Sequence, residues 1–583
     1  MAEQTPLQIV TPSIANSASI ATMGHRIGPV GTRGAASFEL PLPLSSARHL
    51  TPALALHYDS QSGNGPFGIG MRLPIASIAR RTSEGVPRYD NEDVMIDADG
   101  VERWPELNEY APVIRPLAGS GNVTCSVVRY YPRVESAFDV YELWTPSDGQ
   151  APFWRVQGSN GHLYCYGYSE ASRIAEPKPD PDPAPEKPAR IAEWLLLEEV
   201  SPLGEHIYYE YTTDPGPFDG PHDYRSQRYL RRVCYGNATA SETLYCFEDV
   251  DPANRNWHFH LLFDYGQRTL DLAQKPSWQA SDDTPWPLRS DPLHAYRYGF
   301  EVGTRRLCHQ VLMFHHFPAE AGTEPTLVQR LLLEYTAATL GYSLLSAAHY
   351  QAWDAEGRVQ YRPPVELQYS GFEPDFTPAT FFELETMPAL EDGRRYQCVD
   401  LYGEGVPGFL CRYTDGWYYR EPERGADGDE IVYGPWSLLE SLPVAAHNPA
   451  VMQVLTDLTG GGRLNWIIAK PGMSGFYTLN PDRSWSGFTS FERFPTEFLH
   501  PAAQLGDLTG DGSRSLAMVG PKSVRLYANL REQGFAPGVD VLHEPDSDLP
   551  LFSDWRSELV LFGNLLGSDS TELCRIRFDE IKC

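Results

Sequence analysis

Between Leu505 and Val519 the chain reads LGDLTGDGSRSLAMV, which sets Asp507 and Asp511 in a glycine-bearing loop ahead of a short apolar run. Alternate carboxylates on such a loop are how a chain wraps calcium, a hard cation that takes about six to eight oxygens. The position that would close the shell is Ser515, so the loop supplies too few charged oxygens, and calcium is carried forward as a candidate only at Asp507 and Asp511. In WHFHLL, His258 and His260 fall on one face of a strand, as two metal ligands would; in FHHF, His315 and His316 fall on opposite faces. Neither grouping has a third ligand near it in sequence, so they are read as ordinary strand side chains. The serines in GYSEAS and QYSGFEP lack the G-x-S-x-G elbow, and no phosphate loop or dinucleotide fingerprint occurs. Nine cysteines, scattered as in HLYCYGY and LYCFEDV, show no CxxC pair and are read as buried thiols. No catalytic constellation emerges. The expectation is a chain that is not an enzyme and needs no cofactor.

The elements that must carry these residues are strands. Tyr, Trp, Val and Thr recur in short runs, and apolar and polar positions alternate in GAASFELPLPL, TPALALHYDS, GEHIYYEYTTD, WHFHLLFDYG and RPPVELQYSGFEP. Such runs continue to about residue 370 and predict a long antiparallel meander. Between residues 176 and 190, EPKPDPDPAPEKPAR alternates proline with charge or alanine; it cannot donate to a ladder and is expected to be an extended surface loop. At 583 residues the chain exceeds what one core supports, so two or more domains are expected. Its net charge of −30 repels phosphate backbones and anionic bilayers, which argues against nucleic-acid partners. The first thirty residues have no basic start followed by an apolar core, and no later stretch is as apolar as a spanning helix. The chain is therefore expected to be made in the cytoplasm without a signal peptide and not to insert into a membrane.

After about residue 390 the texture changes. Asp400 in CVDLYGEGVPGFLCRY, Asp457 in VLTDLTGGGRLNWIIA, Asp507 in QLGDLTGDGSRSLAMV and Asn564 in LFGNLLGSDSTELCRI each precede a turn and a strand-length apolar run. The anchors recur at intervals of 57, 50 and 57 residues, a period expected of propeller blades. The first Asp or Asn of each copy is expected to hydrogen-bond the turn backbone. Residues 1–370 are thus assigned to one β-domain and residues 371–583 to blades. The predicted fold class is all-β, an antiparallel β-rich domain followed by a partial β-propeller.

The D-x-x-G-x-G anchors resemble FG-GAP and VCBS-type propeller loops, although Glu404, Gly461 and Asn465 replace the usual acids in two copies. The stretch HYDSQSGNGPFGIGMRLPIASIARRTSEGVPRYD resembles the first domain of the SpvB/TcB family, shared by a Salmonella virulence protein and the B components of insecticidal Tc toxin complexes. YYPRVESAFDVYELW, EWLLLEEVSPLGEHIYYEYT and DYRSQRYLRRVCYGN are similar to it as well. Its most specific part is SGNGPFGIGM, with Gly63, Gly65, Pro66, Phe67, Gly68 and Gly70, expected to be a tight turn in which Phe67 plugs the sheet beneath it. The resemblance implies a shell and docking component of a released, extracellular toxin complex. Its implied partners are an A-type pore subunit and a C-type or Rhs component, or the remainder of a B component. The chain ends in RIRFDEIKC within the fourth copy, without Rhs repeats, so exposed strand edges and association are expected. Because a relative carries an ADP-ribosyltransferase, the E-x-E pair Glu383 and Glu385 invites comparison with that site; no Ser-Thr-Ser strand precedes it, and it lies at a domain junction. The alternative functions are a shortened effector lacking that transferase domain and a receptor- or carbohydrate-binding propeller.

Overall fold

The computed structural model describes residues 34–370 except 84, 107–111, 118–122, 179–189, 217–221, 243–254, 281–284, 339–340 and 355. It also describes residues 396–582 except 404, 414–415, 426–430, 440–451, 460–462, 471, 501, 509–512, 521, 543–558, 564–570 and 579. The chain divides into two compact units, one of Met1–Arg81 and Pro87–Pro374, the other of Thr82–Val86 and Asp375–Cys583. Among the described residues nearly all regular structure is strand, and no helix is long and apolar enough to cross a membrane.

The first unit opens with a three-stranded antiparallel sheet, β1 (Ser37–Pro41), β2 (Ala55–Asp59) and β3 (Met71–Arg72). There follow β4 (Ser77–Arg80), β5 (Met95–Ile96), β6 (Glu102–Pro105), β7 (Val113–Pro116), β8 (Thr124–Pro132), β9 (Val140–Pro146), β10 (Phe153–Gln157), β11 (Leu163–Tyr166), β12 (Arg173–Ala175) and β13 (Ile191–Val200). Hydrogen-bonded pairs run β4 to β5, β6, β8, β9, β10, β11 and β13, and β13 returns to β4, which closes a ring. From β13 a second, open run of antiparallel pairs leaves through β14 (His206–Thr212), β15 (Tyr229–Asn237) and β16 (Trp257–Asp264). The small hairpin of β17 (Leu293–Ala295) and β18 (Val302–Thr304) stands apart from it. The run then continues through β19 (Gln310–His315), β20 (Thr326–Ala337) and β21 (Ser343–Trp353), which pairs with both β22 (Val359–Tyr361) and β23 (Val365–Glu366).

The length of β13 explains the branching. Glu193 and Trp194 pair with β12 on one side and β4 on the other, whereas Glu198, Glu199 and Val200 pair with β11 and β14. Strand alternation decides what each face buries. In β14, Ile207, Tyr209 and Tyr211 are buried and Tyr208, Glu210 and Thr212 are half-buried. The large core so formed includes Phe67, Trp154, Trp194, Tyr229, Tyr235, Phe263 and Trp286. The Tyr211 hydroxyl donates to the Leu196 carbonyl at 2.7 Å and that of Tyr265 to the Leu230 carbonyl at 3.0 Å, so these rings are buried with their polar tips satisfied. The Pro-rich segment falls mostly outside the described residues; its ends are tied by the Glu176 amide donating to the Arg190 carbonyl and by an ion pair between the same two side chains.

In the second unit successive meanders form four sheets. The first contains β24 (Tyr396–Val399), β25 (Gly408–Arg412) and β26 (Trp417–Arg420), with a ribbon of β27 (Pro422–Arg424) and β28 (Ile431–Tyr433) before its last strand β29 (Ser437–Leu438). The second is β30 (Met452–Thr456), β31 (Asn465–Lys470), β32 (Met473–Thr478) and β33 (Thr489–Ser490). The third is β34 (Ala503–Gly506), β35 (Ser515–Val519), β36 (Ser523–Tyr527) and β37 (Val539–Leu542). The fourth is β38 (Leu559–Gly563), β39 (Glu572–Ile576) and β40 (Ile581–Lys582). In NWIIAK of β31, Trp466 and Ile468 pack with Leu410, Trp417 and Tyr419 of the first sheet, while Ile467 and Ala469 pack with Phe498, Leu516 and Phe535. Each face of the strand therefore serves a different neighbour.

Candidate functional site

Three places warrant description: the glycine-rich turn of the first unit, the anchor turns of the second, and a histidine–carboxylate cluster that the sequence reading did not single out. In SGNGPFGIGM the Gly68 amide donates to the Gly65 carbonyl and the Gly70 amide to the Gly63 carbonyl, both at 3.0 Å. Phe67 is buried and meets Phe263 edge-on at 6.4 Å. The Pro66 carbonyl accepts from the Cys308 amide and the Ile69 amide donates to Ser343. Gly68 has a φ of +83°, and a Cβ there would lie 2.7 Å from the Ser343 carbonyl oxygen. Only glycine fits that approach. Gly70 also has a positive φ, whereas Cβ atoms on Gly63 or Gly65 would meet nothing within 4 Å. The buried Arg289 donates to the Gly65 carbonyl and to Asn64 and pairs with Asp291, which in turn accepts from the Ser343 amide and hydroxyl. The turn is a knot joining segments more than two hundred positions apart.

Of the four anchors, Asp400 accepts from the Gly403 amide through Oδ1 and from the Gly405 amide through Oδ2, each at 2.9 Å. In the second copy the described turn bonds come from the far end: buried Asn465 accepts from the Leu458 amide at 2.8 Å and the Thr459 amide at 3.1 Å. In the third, the Asp507 carbonyl accepts from the Thr571 hydroxyl at 2.6 Å, tying that turn to the fourth sheet, and Ser515 is fully buried. Asp457 makes interactions of its own. Glu404, Gly461, Asp511 and Asn564 lie outside the described residues, as do Glu383 and Glu385.

The paired histidines are placed as strand alternation predicts, with other partners than a metal. His260 is buried against Trp278, with Nδ1 3.4 Å from Cys234 Sγ; burial, helped by Arg232 and His316, brings its pKa down to about 3. His258 stacks on Phe317, His316 directs Nε2 at the Thr323 carbonyl, and His315 directs Nε2 at the Ser45 hydroxyl. Of the described cysteines, none of which forms a disulfide, Cys398 alone is exposed.

Among the described residues, one group of His, Cys, Asp or Glu brings a donor atom from each of three side chains to within 4.8 Å: His222, His294 and Glu301. His294 sits on β17 and Glu301 just before β18, so the hairpin sets those two side by side. His222 comes from the segment before β15. Nδ1 of His222 and Nδ1 of His294 each lie 2.7 Å from the same Glu301 oxygen, Oε1, and the two rings stack at 3.8 Å with planes 24° apart. The Asp223 amide donates to Oε2 at 2.8 Å. Burial alone would raise the Glu301 carboxyl; the bonds from His294, the Asp223 amide and His222 outweigh it and bring its pKa down to about 2. Nearby, burial would likewise raise Asp214, but Arg306, Arg305 and the Gly216 amide hold it at about 2. The sequence carries a signal for the two histidines of this cluster: the pattern H-x-Y-R occurs twice, as HDYR from His222 and HAYR from His294.

An all-β first unit with a glycine knot, followed by four serially packed sheets, defines a class of β-rich modular proteins. Residues 30–317 match the SpvB family, described as the Salmonella virulence plasmid 65kDa B protein. The chain is 33% identical over 569 residues to the mono(ADP-ribosyl)transferase SpvB of Salmonella typhimurium, covering 90% of this chain and 93% of that protein. The homologue from Salmonella dublin is 33% identical over 572 residues, with the same coverage. The chain belongs to the SpvB family. Among solved structures it superposes on the Photorhabdus luminescens Tc holotoxin pore with a TM-score of 0.82 and 36% identity, over 96% of this chain and 26% of that one. It superposes on TcdB2-TccC3 with a TM-score of 0.64 and 26% identity, over 95% of this chain and 31% of that one. The chain thus spans about a quarter to a third of the length of these toxin chains.

These matches correct the expectation that the chain is not an enzyme. Relatives covering nine-tenths of it bear the name of a transferase, which puts it in an enzyme family. The expectation rested on motifs within one sequence, whereas the correction rests on the name that its relatives carry.

Proposed function

We propose that the chain is a structural and interaction component of a bacterial toxin-delivery assembly, released with it from the producing cell. The observation that carries this reading is the superposition on the Tc holotoxin chain over 96% of its length at 36% identity. In this reading the second unit is a β-propeller, and its anchor turns form a docking rim held by a rigid scaffold. Support comes from β31, whose faces pack on two different sheets, and from the bonds linking the second sheet to the third and the third to the fourth. The partners are an A-type pore subunit and a C-type or Rhs component. The test is co-purification of the full chain with each partner. Retention on either supports the reading, and loss of both, with a folded chain, counts against it.

A second reading, ADP-ribosyl transfer, is favoured by the 33% identity to named transferases across 93% of their length. Incubation with labelled NAD and a eukaryotic cell extract tests it. Transfer abolished by Glu385→Gln would support it, and absence of transfer would leave the assembly role alone.

A further inference from the structure

We propose that His222, His294 and Glu301 form a binding site for one divalent transition-metal ion of the zinc type. The geometry is convergent: two imidazole nitrogens reach one carboxylate oxygen at 2.7 Å each, from rings stacked at 3.8 Å. Two histidines and a carboxylate are a common donor set for zinc, with nitrogen and oxygen about 2.0–2.2 Å from the metal. An ion placed between the two Nδ1 atoms and Oε1 takes the place of both hydrogen-bond protons. The N···O separations then open from 2.7 Å to about 3.3 Å for tetrahedral geometry. Each ring presents Nδ1 to the ion without its proton, so in the bound form the ring N–H lies at Nε2.

The surroundings hold this donor set in place. Glu301 is oriented through its other oxygen by the Asp223 amide, as a metal-binding carboxylate is by its outer partners. The segment carrying His222 is laced to the hairpin by Ser226 donating to the Glu301 carbonyl and by Gln227 donating to Thr304. Tyr224 lies against the hairpin where a Cβ on Gly303 would come within 2.6 Å of its ring, so the approach needs a glycine. His222 is 40% exposed against 10% for Glu301, so the cluster opens to solvent on one side. That side admits the ion and leaves a fourth coordination position for water. Bound metal would cross-link the loop before β15 to the β17–β18 hairpin and stabilise the first unit by linkage.

The test is titration of the full chain with cobalt(II) and zinc(II), following the visible absorption of tetrahedral cobalt and the heat of zinc binding. Imidazole ¹⁵N shifts report the tautomer. One equivalent is expected to bind, with His222 and His294 moving to the Nε2–H form. His222→Ala and Glu301→Gln should each weaken binding at least about tenfold. His258→Ala, on a different strand group, should leave it unchanged. Far-UV circular dichroism checks that each variant is folded, and His222→Ala is the gentlest because that ring is the most exposed. No stoichiometric binding by the wild-type chain, or binding that survives His222→Ala and Glu301→Gln, overturns the proposal.

Discussion

At the residue scale, the glycine knot shows how one missing side chain fixes a long-range contact. Gly68→Ala must place a methyl group 2.7 Å from the Ser343 carbonyl oxygen at a φ of +83°. We expect a loss of about 2–4 kcal/mol, read as a lowered midpoint in urea unfolding, while Gly63→Ala stays within about 0.5 kcal/mol. Buried titratable groups give a pH dependence whose sign can be worked out. Burial depresses His260 to about 3 and lowers His309 and His315 as well. Below the ordinary histidine value of 6.5 the unfolded chain binds protons that the folded chain refuses, so stability falls as pH drops from about 6.5 toward 3. Glu301 and Asp214 add a second loss as pH falls from about 4.5 toward 2. Thermal melts from pH 7 to pH 4 should show a falling midpoint, and His260→Phe should flatten its upper part. A flat profile in the wild type would contradict this. The tight turn around Phe67 was legible because its glycines and proline are contiguous. Its partners Arg289, Asp291 and Ser343 were not, because nothing local marks a residue as the far end of a hydrogen bond. In the histidine–carboxylate cluster the two histidines share a local mark, the repeated H-x-Y-R, but nothing local ties Glu301 to His222.

At the scale of elements, the strands of the second unit carry information on both faces. Trp466 meets Trp417 edge-on at 5.2 Å and Trp485 edge-on at 5.6 Å, while its neighbour Ile467 faces the opposite way. Trp466→Ala should cost about 3–5 kcal/mol and should weaken the first sheet together with the second. Hydrogen exchange of β25 and β31 checks this; protection lost in β31 alone would contradict it. The anchor spacing made these repeats visible in the sequence. Asp400 presents its carboxylate to the turn amides of the first copy, and Asn465 adds an amide oxygen to those of the second, because any side-chain acceptor so placed can satisfy them.

At the scale of the molecule, a net charge of −30 sets the terms of any encounter. A partner that docks on this chain should present basic side chains, and its association rate should fall steeply between 0.05 and about 0.3 M salt. Surface binding kinetics at several ionic strengths would show this, and salt-independent association would contradict it. The all-β class was legible from alternation alone. The closed ring was not: it depends on Ser77–Arg80 finding β13 more than a hundred residues later, and four residues of strand carry no address. Membership of the SpvB family was legible in the contiguous glycine-rich motif and its companion strands.

Because β13 has neighbours along both edges, in the ring and in the open sheet alike, its ends cannot be drawn apart one bond at a time. Tension along it loads several ladders in shear together, so the first unit should yield late and all at once, as a rivet fails and not as a zip opens. Toughness in this unit then comes from connectivity.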